Sequence, residues 1–431
     1  MSNDNRQLSP FAIRLRQLRD ERGLSLRRLA TLALSSKSHI NQFEMGKSLP
    51  NPQTLALIDR ELRANGELIA LAGLVREPVA TVAVRADEHL RELLHTFLVR
   101  PDHHASGALM AGIDGVRRSV DRALATAGTI TRTQVDDLAQ IVDSSARDCI
   151  TAPPLEMLCR LTLNMAEVQQ HVAAYQQSGS VTRDLHAVAA RLASLIADEM
   201  MVLGDVQQSR AWHYTARSAA DKTKDRALKA DVRTLAALLP LYYGDPREVV
   251  TITRQAQKIA GNTSSLTVAV APAYESLALA QLNATEESET ALTKARDKVV
   301  KLDSALMAES IFGFPERRWR FYEGKILSFL GRTDEAWEIH DEALALYPED
   351  VVGDRALIHF DRSIALIRGQ QTEAGCILAE RTLLDLPDGH RTSIFMRAAR
   401  RALSVVPRDE QSKPEVSRYR ETIRSCPVVS T

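Results

Sequence analysis

The chain has 431 residues, 55 Lys and Arg balanced by 55 Asp and Glu, and 45% hydrophobic residues of which few are aromatic. That length exceeds one ordinary core, so two or three domains are expected. No run reaches the roughly 18 apolar residues of a membrane span, and the polar start MSNDNRQLSP lacks a secretory h-region, so a cytoplasmic protein without membrane contact is expected.

Residues 1–76 read as five short helices. Ser9 caps the first and Pro10 suits its opening turn, while Phe11, Leu15 and Leu18 form one apolar stripe. Gly23 is a natural stop. Ser25 caps a second helix with Leu29, Ala30 and Ala33 turned inward, Ala30 being small enough for a close crossing. Ser36 caps a third, Ser36–Met45, with Ile40 and Phe43 in the core and Lys37, Ser38, His39, Asn41 and Gln42 outward; Gly46 ends it. Gln53–Leu62 and Glu67–Leu74 complete the set. This segment carries 12 Lys and Arg against 7 Asp and Glu, leaving 43 against 48 for the remainder. A basic head on an acidic body fits a nucleic-acid contact at the head. On periodicity alone, a bundle with a solvated polar face accounts for these residues equally well.

The ordered pattern LRQLRDERGLS, LA and IxxFExG between Phe11 and Leu74 resembles the Cro/phage-repressor (XRE-type) helix-turn-helix domain. The resemblance implies that the third helix enters the major groove of operator DNA. Lys37, Ser38 and Gln42 would then read bases, Lys37 at guanine O6/N7 and Gln42 at adenine, with His39 and Asn41 on the same surface. Lys47 and the helix N-terminus would hold phosphates. Arg19 and Glu44 match the family's ion pair between first and third helices, and Leu29, Ala30, Ile40, Phe43 and Gly46 match its structural positions. Two departures stand out. Leu26 occupies a place where the family has a DNA-contacting Gln, and Leu34 a turn position where it has Gly, at a cost of about 1 kcal/mol if φ is positive there.

Residues 77–178 form a helical connection, with helices over Leu90–Val99, Leu109–Ala125, Thr133–Ile150 and Leu155–Tyr175. The adjacent His103 and His104 lack the i, i+4 spacing of metal ligands and read as surface residues. Cys149, Cys159, Cys376 and Cys426 are scattered without C-x2-C spacing, as reduced thiols are.

From 179 to 405 five loops align on Gly204, Gly244, Asn283, Gly331 and Gly369, at intervals of 40, 39, 48 and 38, and Ala216, Ala256, Ala295 and Ala343 lie twelve residues after the first four. Such a period argues for stacked helical hairpins, against the plainer reading of an irregular helical domain. The copy from Arg317 to Asp350 resembles a tetratricopeptide repeat, with Gly324, Ala336, Ala343 and Pro348 at its 8th, 20th, 27th and 32nd places. That resemblance implies a groove lined by Tyr242, Tyr274, Gln281, Arg318, Lys325 and His359, suited to a peptide, small-molecule or protein ligand; each is also explained as an ordinary surface or packing residue. The tail 406–431 either ends in disorder or caps the array through Val416–Ile423.

No phosphate loop, nucleophile elbow or HExxH motif is present, and Glu286 with Glu287 complements a helix dipole. No enzyme, cofactor or metal is therefore expected. The expected fold class is all-α. The order of parts resembles ligand-responsive regulators of actinobacteria and peptide-sensing regulators of Gram-positive bacteria. It implies a cytoplasmic, nucleoid-associated regulator binding double-stranded operator DNA as a homodimer, at half-sites roughly 34 Å apart. The alternative is an interaction scaffold whose head serves dimer contacts or weak non-specific DNA binding.

Overall fold

The structure is a computed structural model and describes residues 10–33, 35–50, 52–62, 64, 68, 132–173 and 179–429. Leu34, His103, His104, the expected helices Leu90–Val99 and Leu109–Ala125, and all of Glu67–Leu74 except Leu68 lie outside them. The fold is all-α. Among the described residues there is no strand, and one isolated bridge joins Thr392 to Val429. The chain divides into two compact units, residues 1–89 and 90–431.

The first unit holds α1 (Pro10–Glu21), α2 (Leu26–Leu32), α3 (Lys37–Glu44) and α4 (Pro52–Glu61). Phe11, Leu15 and Leu18 meet Leu29, Ala30, Ile40, Phe43, Ile58 and Leu62 in one buried cluster. The boundaries follow from local chemistry. Ser25 Oγ accepts from the Arg28 N–H (3.2 Å) and Ser36 Oγ from the His39 N–H (3.1 Å), satisfying amide donors at the starts of α2 and α3. Gly23 and Gly46 take φ of 62° and 64°. These let Leu24 N–H reach Arg19 O (3.1 Å) and Lys47 N–H reach Gln42 O (2.9 Å), the Schellman closure that ends a helix cleanly.

Among the described residues, the second unit begins with α5 (Arg132–Asp148) and α6 (Pro154–Ala173). Five helical hairpins follow: α7 (Ser180–Leu203) with α8 (Val206–Asp221); α9 (Arg226–Ala236) and short α10 (Leu238–Tyr243) with α11 (Pro246–Ala260); α12 (Thr267–Gln281) with α13 (Thr285–Val299); α14 (Glu316–Phe329) with α15 (Thr333–Leu346); and α16 (Val352–Arg368) with α17 (Thr372–Asp385). Helices α18 (Ser393–Ser404) and α19 (Pro414–Ser425) end the unit.

The hairpins share one internal register. Gly204, Asn283, Gly331 and Gln370 turn the chain in the left-handed region, at φ of 96°, 59°, 76° and 65°. In the fifth hairpin that residue is Gln370; Gly369, at φ −79°, is the last residue before the turn. The fourth interval is thus 39, one more than spacing on glycines predicts. Gly244 is extended at φ −127°. Small residues sit where paired helices cross. Ser209 Oγ donates to Ala197 O (2.8 Å) and Ser363 Oγ to Gly375 O (2.8 Å), while Ser276 and Ser288 each donate to the other's carbonyl (2.8 and 2.9 Å). Gly324 and Ala336 occupy the same places in the fourth hairpin, and Ala216, Ala256, Ala295 and Ala343 are wholly buried seven residues further on.

The long interval of 48 has a structural use. Its extra residues form the segment between α13 and α14, whose Ile311 N–H bonds Ala146 O (3.0 Å), and Arg191 of α7 lies over the Phe312 ring at 4.4 Å. The other end of the array also returns to its start. A Cβ on Gly204 would stand 2.4 Å from the Ser393 Cβ, and His390 Nε2 lies 3.2 Å from Thr151 O. Helix α18 therefore packs on α7, and the row of hairpins closes on itself. Residues beyond 406 take the capping alternative: Val416, Tyr419 and Ile423 are buried, and Tyr419 donates to Ala399 O (2.8 Å).

Candidate nucleic-acid interface

Helix α3 is fixed from beneath. Ile40 is wholly buried, Phe43 nearly so, and the Glu44 carboxylate meets the Arg19 guanidinium of α1 through two bonds, Nε at 2.5 Å and Nη2 at 3.0 Å. Arg19 Nη1 also donates to Leu24 O (2.9 Å) and to Asp20 (2.7 Å). The hydrogen bond to Glu44 is the main cause raising the Arg19 pKa above its ordinary value. This pair thus ties the end of α1 to the end of α3 while the opposite surface stays free.

That opposite surface carries the expected readers. Lys37, Ser38, His39, Asn41, Gln42 and Lys47 are all exposed. Lys37, Ser38, Gln42 and Lys47 make no side-chain hydrogen bond or ion pair among the described residues, so nothing competes for their donors. His39 stacks beside Phe43 (centroids 6.3 Å apart), and Asn41 Nδ2 lies 3.7 Å from Met45 Sδ, so these two are partly engaged. Leu26 is half-buried against the core, so an apolar contact stands where the related pattern has a polar one. Beside it, Arg27 and Arg28 are exposed and make no ion pair among the described residues. Sequence reasoning passed over them, although two arginines in the first turn after an N-cap serine are a legible phosphate-binding signal.

A family model described as a helix-turn-helix domain matches residues 10–72. The head of this chain is a helix-turn-helix domain, which implies DNA binding. Neither curated proteins nor solved structures give a match to the chain. In the helix-turn-helix domain Lys37, Ser38 and His39 are exposed in the first turn of α3, and a helix start favours anions.

Of the six groove candidates of the second unit, Tyr242, Gln281, Arg318 and Lys325 gather around two spaces that share Tyr242, and Tyr274 and His359 do not join them. Tyr242 and Arg318 line a cavity of about 160 Å³ walled by α7, α10, α14, α16 and the approach to α18. Tyr242, Gln281 and Lys325 line a second space of about 270 Å³, with Phe329, Asp361, Arg397 and Arg401. Lys325 Nζ is 3.1 Å from Asp361 and 5.6 Å from the Tyr242 ring centroid. Tyr274 is wholly buried and packs on Tyr322 at 4.9 Å, because α12 is buried along nearly its whole length. His359 lines a separate depression with Arg355, Arg381 and Asp385, since it projects from the other side of α16. Sequence reasoning also missed Asp198, Glu199 and Asp354 in the first cavity. The signal was an acidic pair inside the apolar run LASLIADEMMVL.

Among the described residues no group of three or more His, Cys, Asp and Glu side chains is placed to hold a metal ion. Nor is any helix there long and apolar enough to cross a membrane.

Proposed function

We propose that this protein is a sequence-specific transcriptional regulator of the XRE type, without enzymatic activity, that binds operator DNA as a homodimer in the cytoplasm. The observation that carries the reading is the free row Lys37, Ser38 and Gln42 on a helix anchored from behind by Ile40, Phe43 and the Arg19–Glu44 pair. Rigid backing with unengaged donors is what base readout requires, since mobile side chains forfeit the geometry of a bidentate contact. One such helix covers few base pairs, which is the argument for two heads on an inverted repeat. The repeated register of the hairpins supports a tetratricopeptide-like body, and its cavities support modulation by a ligand.

The scaffold reading draws on one observation, the apolar Leu26 where a DNA contact belongs. The two separate in one experiment. Genomic fragments are captured with the purified protein and the best fragment is titrated at several salt concentrations. The regulator reading expects a shared inverted repeat bound at least about 10³-fold tighter than random DNA. Lys37→Ala and Gln42→Ala should each cost about 1–3 kcal/mol and relax specificity. Weak binding without a motif, lost at modest salt, leaves only phosphate attraction and supports the scaffold.

A further inference from the structure

The first cavity of the closed array carries charges that the DNA-binding head does not explain. Asp198 and Glu199 are adjacent on α7 and both line it. Glu199 is only 5% exposed, and its partner is the Cys149 thiol, a weak donor. Asp198 makes no hydrogen bond or ion pair among the described residues.

The surrounding groups are mostly committed elsewhere. Arg318 of α14 donates through Nη1 to Ile311 O (3.0 Å) and Gly313 O (3.2 Å), and faces Asp198 without a hydrogen bond to it. Arg317 bonds Glu309, lies 3.9 Å from Asp354 of α16 and sits over the Tyr347 ring at 4.7 Å. Asp354 accepts from Tyr347 Oη (2.9 Å), and His390 approaches Thr151 O. Tyr242 and Tyr322, with Phe321 and Phe395, supply aromatic wall.

Two adjacent carboxylates shielded from water, with Arg318 facing Asp198 but not hydrogen-bonded to it, are costly to keep charged together. Burial pushes Asp198 up to about 6, and burial together with the neighbouring Asp198 raises Glu199 well above the ordinary carboxylate range. Asp198, ionised at neutral pH, disfavours an anionic ligand beside it, and among the described residues no donor set suits a metal ion. An ammonium group supplies three donors to this pair, and an apolar body matches the rings around it. A cavity near 150 Å³ accommodates benzene, so this one takes a molecule of about six to ten non-hydrogen atoms.

We propose that the cavity binds a small organic cation, a primary amine with an apolar or aromatic body, its ammonium held between Asp198 and Glu199. That such binding tunes the DNA-binding head rests on the regulator reading; the binding itself does not.

The test is calorimetric titration of the full-length protein at pH 7.5 with butylamine, putrescine and phenethylamine, beside neutral 2-phenylethanol and anionic 3-phenylpropionate. At least one amine should bind saturably while the neutral and anionic probes do not. Asp198→Asn and Glu199→Gln should each weaken it about tenfold or more. Affinity of the unaltered protein should fall from pH 7.5 to 5.5 as the carboxylates take up protons, and the binding heat should vary with buffer ionisation because protons are released. This pH series keeps the test intact if a variant fails to fold. The proposal is overturned if no amine binds, if 2-phenylethanol binds as well as phenethylamine, or if folded variants bind like the parent. Amine binding that leaves the affinity for the captured DNA fragment unchanged would overturn the regulatory link and leave the site standing.

Discussion

Replacing Arg19 with Met tests how α3 is held. The substitution keeps the aliphatic stem but removes both bonds to Glu44, the bond to Leu24 O and the exposed contact with Asp20. It strands Glu44, whose side chain is 6% exposed, without its cation. Breaking a fully buried ion pair by removing one partner costs about 3–5 kcal/mol. Arg19 keeps 12% of its side-chain surface in water, so the expected loss is nearer about 2–4 kcal/mol. A unit of this size has a total stability of only about 3–9 kcal/mol. Amide hydrogen exchange on the intact protein, read over α1 and α3, should therefore show their opening free energy fall by that amount, with the second unit unchanged. Adding Glu44→Met removes the stranded charge, so the double variant should be less damaged than the sum of the single ones by about 1.5–3 kcal/mol. Exchange in the Arg19→Met protein within about 0.5 kcal/mol of the parent would refute the claim that this pair anchors α3.

Three further outcomes are expected. Gly324→Ala places a Cβ 2.3 Å from His340 Cδ2 and 2.7 Å from Nε2, against a ring that is 2% exposed; thermal unfolding should show a loss of about 1–3 kcal/mol, and an unchanged midpoint would deny the close crossing. Ser276→Ala and Ser288→Ala each remove one of the reciprocal bonds across the third hairpin and both lose the contact between the two hydroxyls (3.1 Å), so each should cost about 1 kcal/mol in urea unfolding and the double variant less than the sum; full additivity would count against the coupling. His213 is buried with both ring nitrogens unpartnered, and burial lowers its pKa to about 4. The unfolded chain takes up this proton first, so between pH 6.5 and 4 acidification removes stability. His213→Leu should gain about 2 kcal/mol on the parent at pH 5 compared with pH 7.5, and equal pH profiles would contradict it.

The head was legible because its boundaries are written in single residues. Ser25, Ser36, Gly23 and Gly46 each satisfy backbone groups by local chemistry, and such signals do not depend on tertiary context. In the hairpin array the turns were found through glycine, a statistical marker, whereas the helix crossings set the register. Gln370 accepts a left-handed conformation because the small pair Ser363 and Gly375 fixes where the fifth turn falls. The groove was the least legible part. Repeat position assigns an inward face, but α12 has no exposed face, so Tyr274 became core, and closure of the array turned the groove into separate cavities. The acidic pair on α7 was visible as a break in an apolar run. Its environment was not, since Arg318, Tyr322, Asp354 and Phe395 come from helices more than a hundred residues later and Cys149 from the helix end before it.

An open row of hairpins has two ends, so it melts inward from either one and tolerates the gain or loss of a hairpin. Contact between α7 and α18 removes that freedom here. An added hairpin would push Ser393 away from Gly204 and open the cavity wall, so the number of hairpins is fixed by closure, as the number of staves is in a cask. The array should then unfold as one cooperative body instead of fraying, and deleting the α12–α13 hairpin should destabilise the seam between α7 and α18, far from the cut, as much as the helices that flank it.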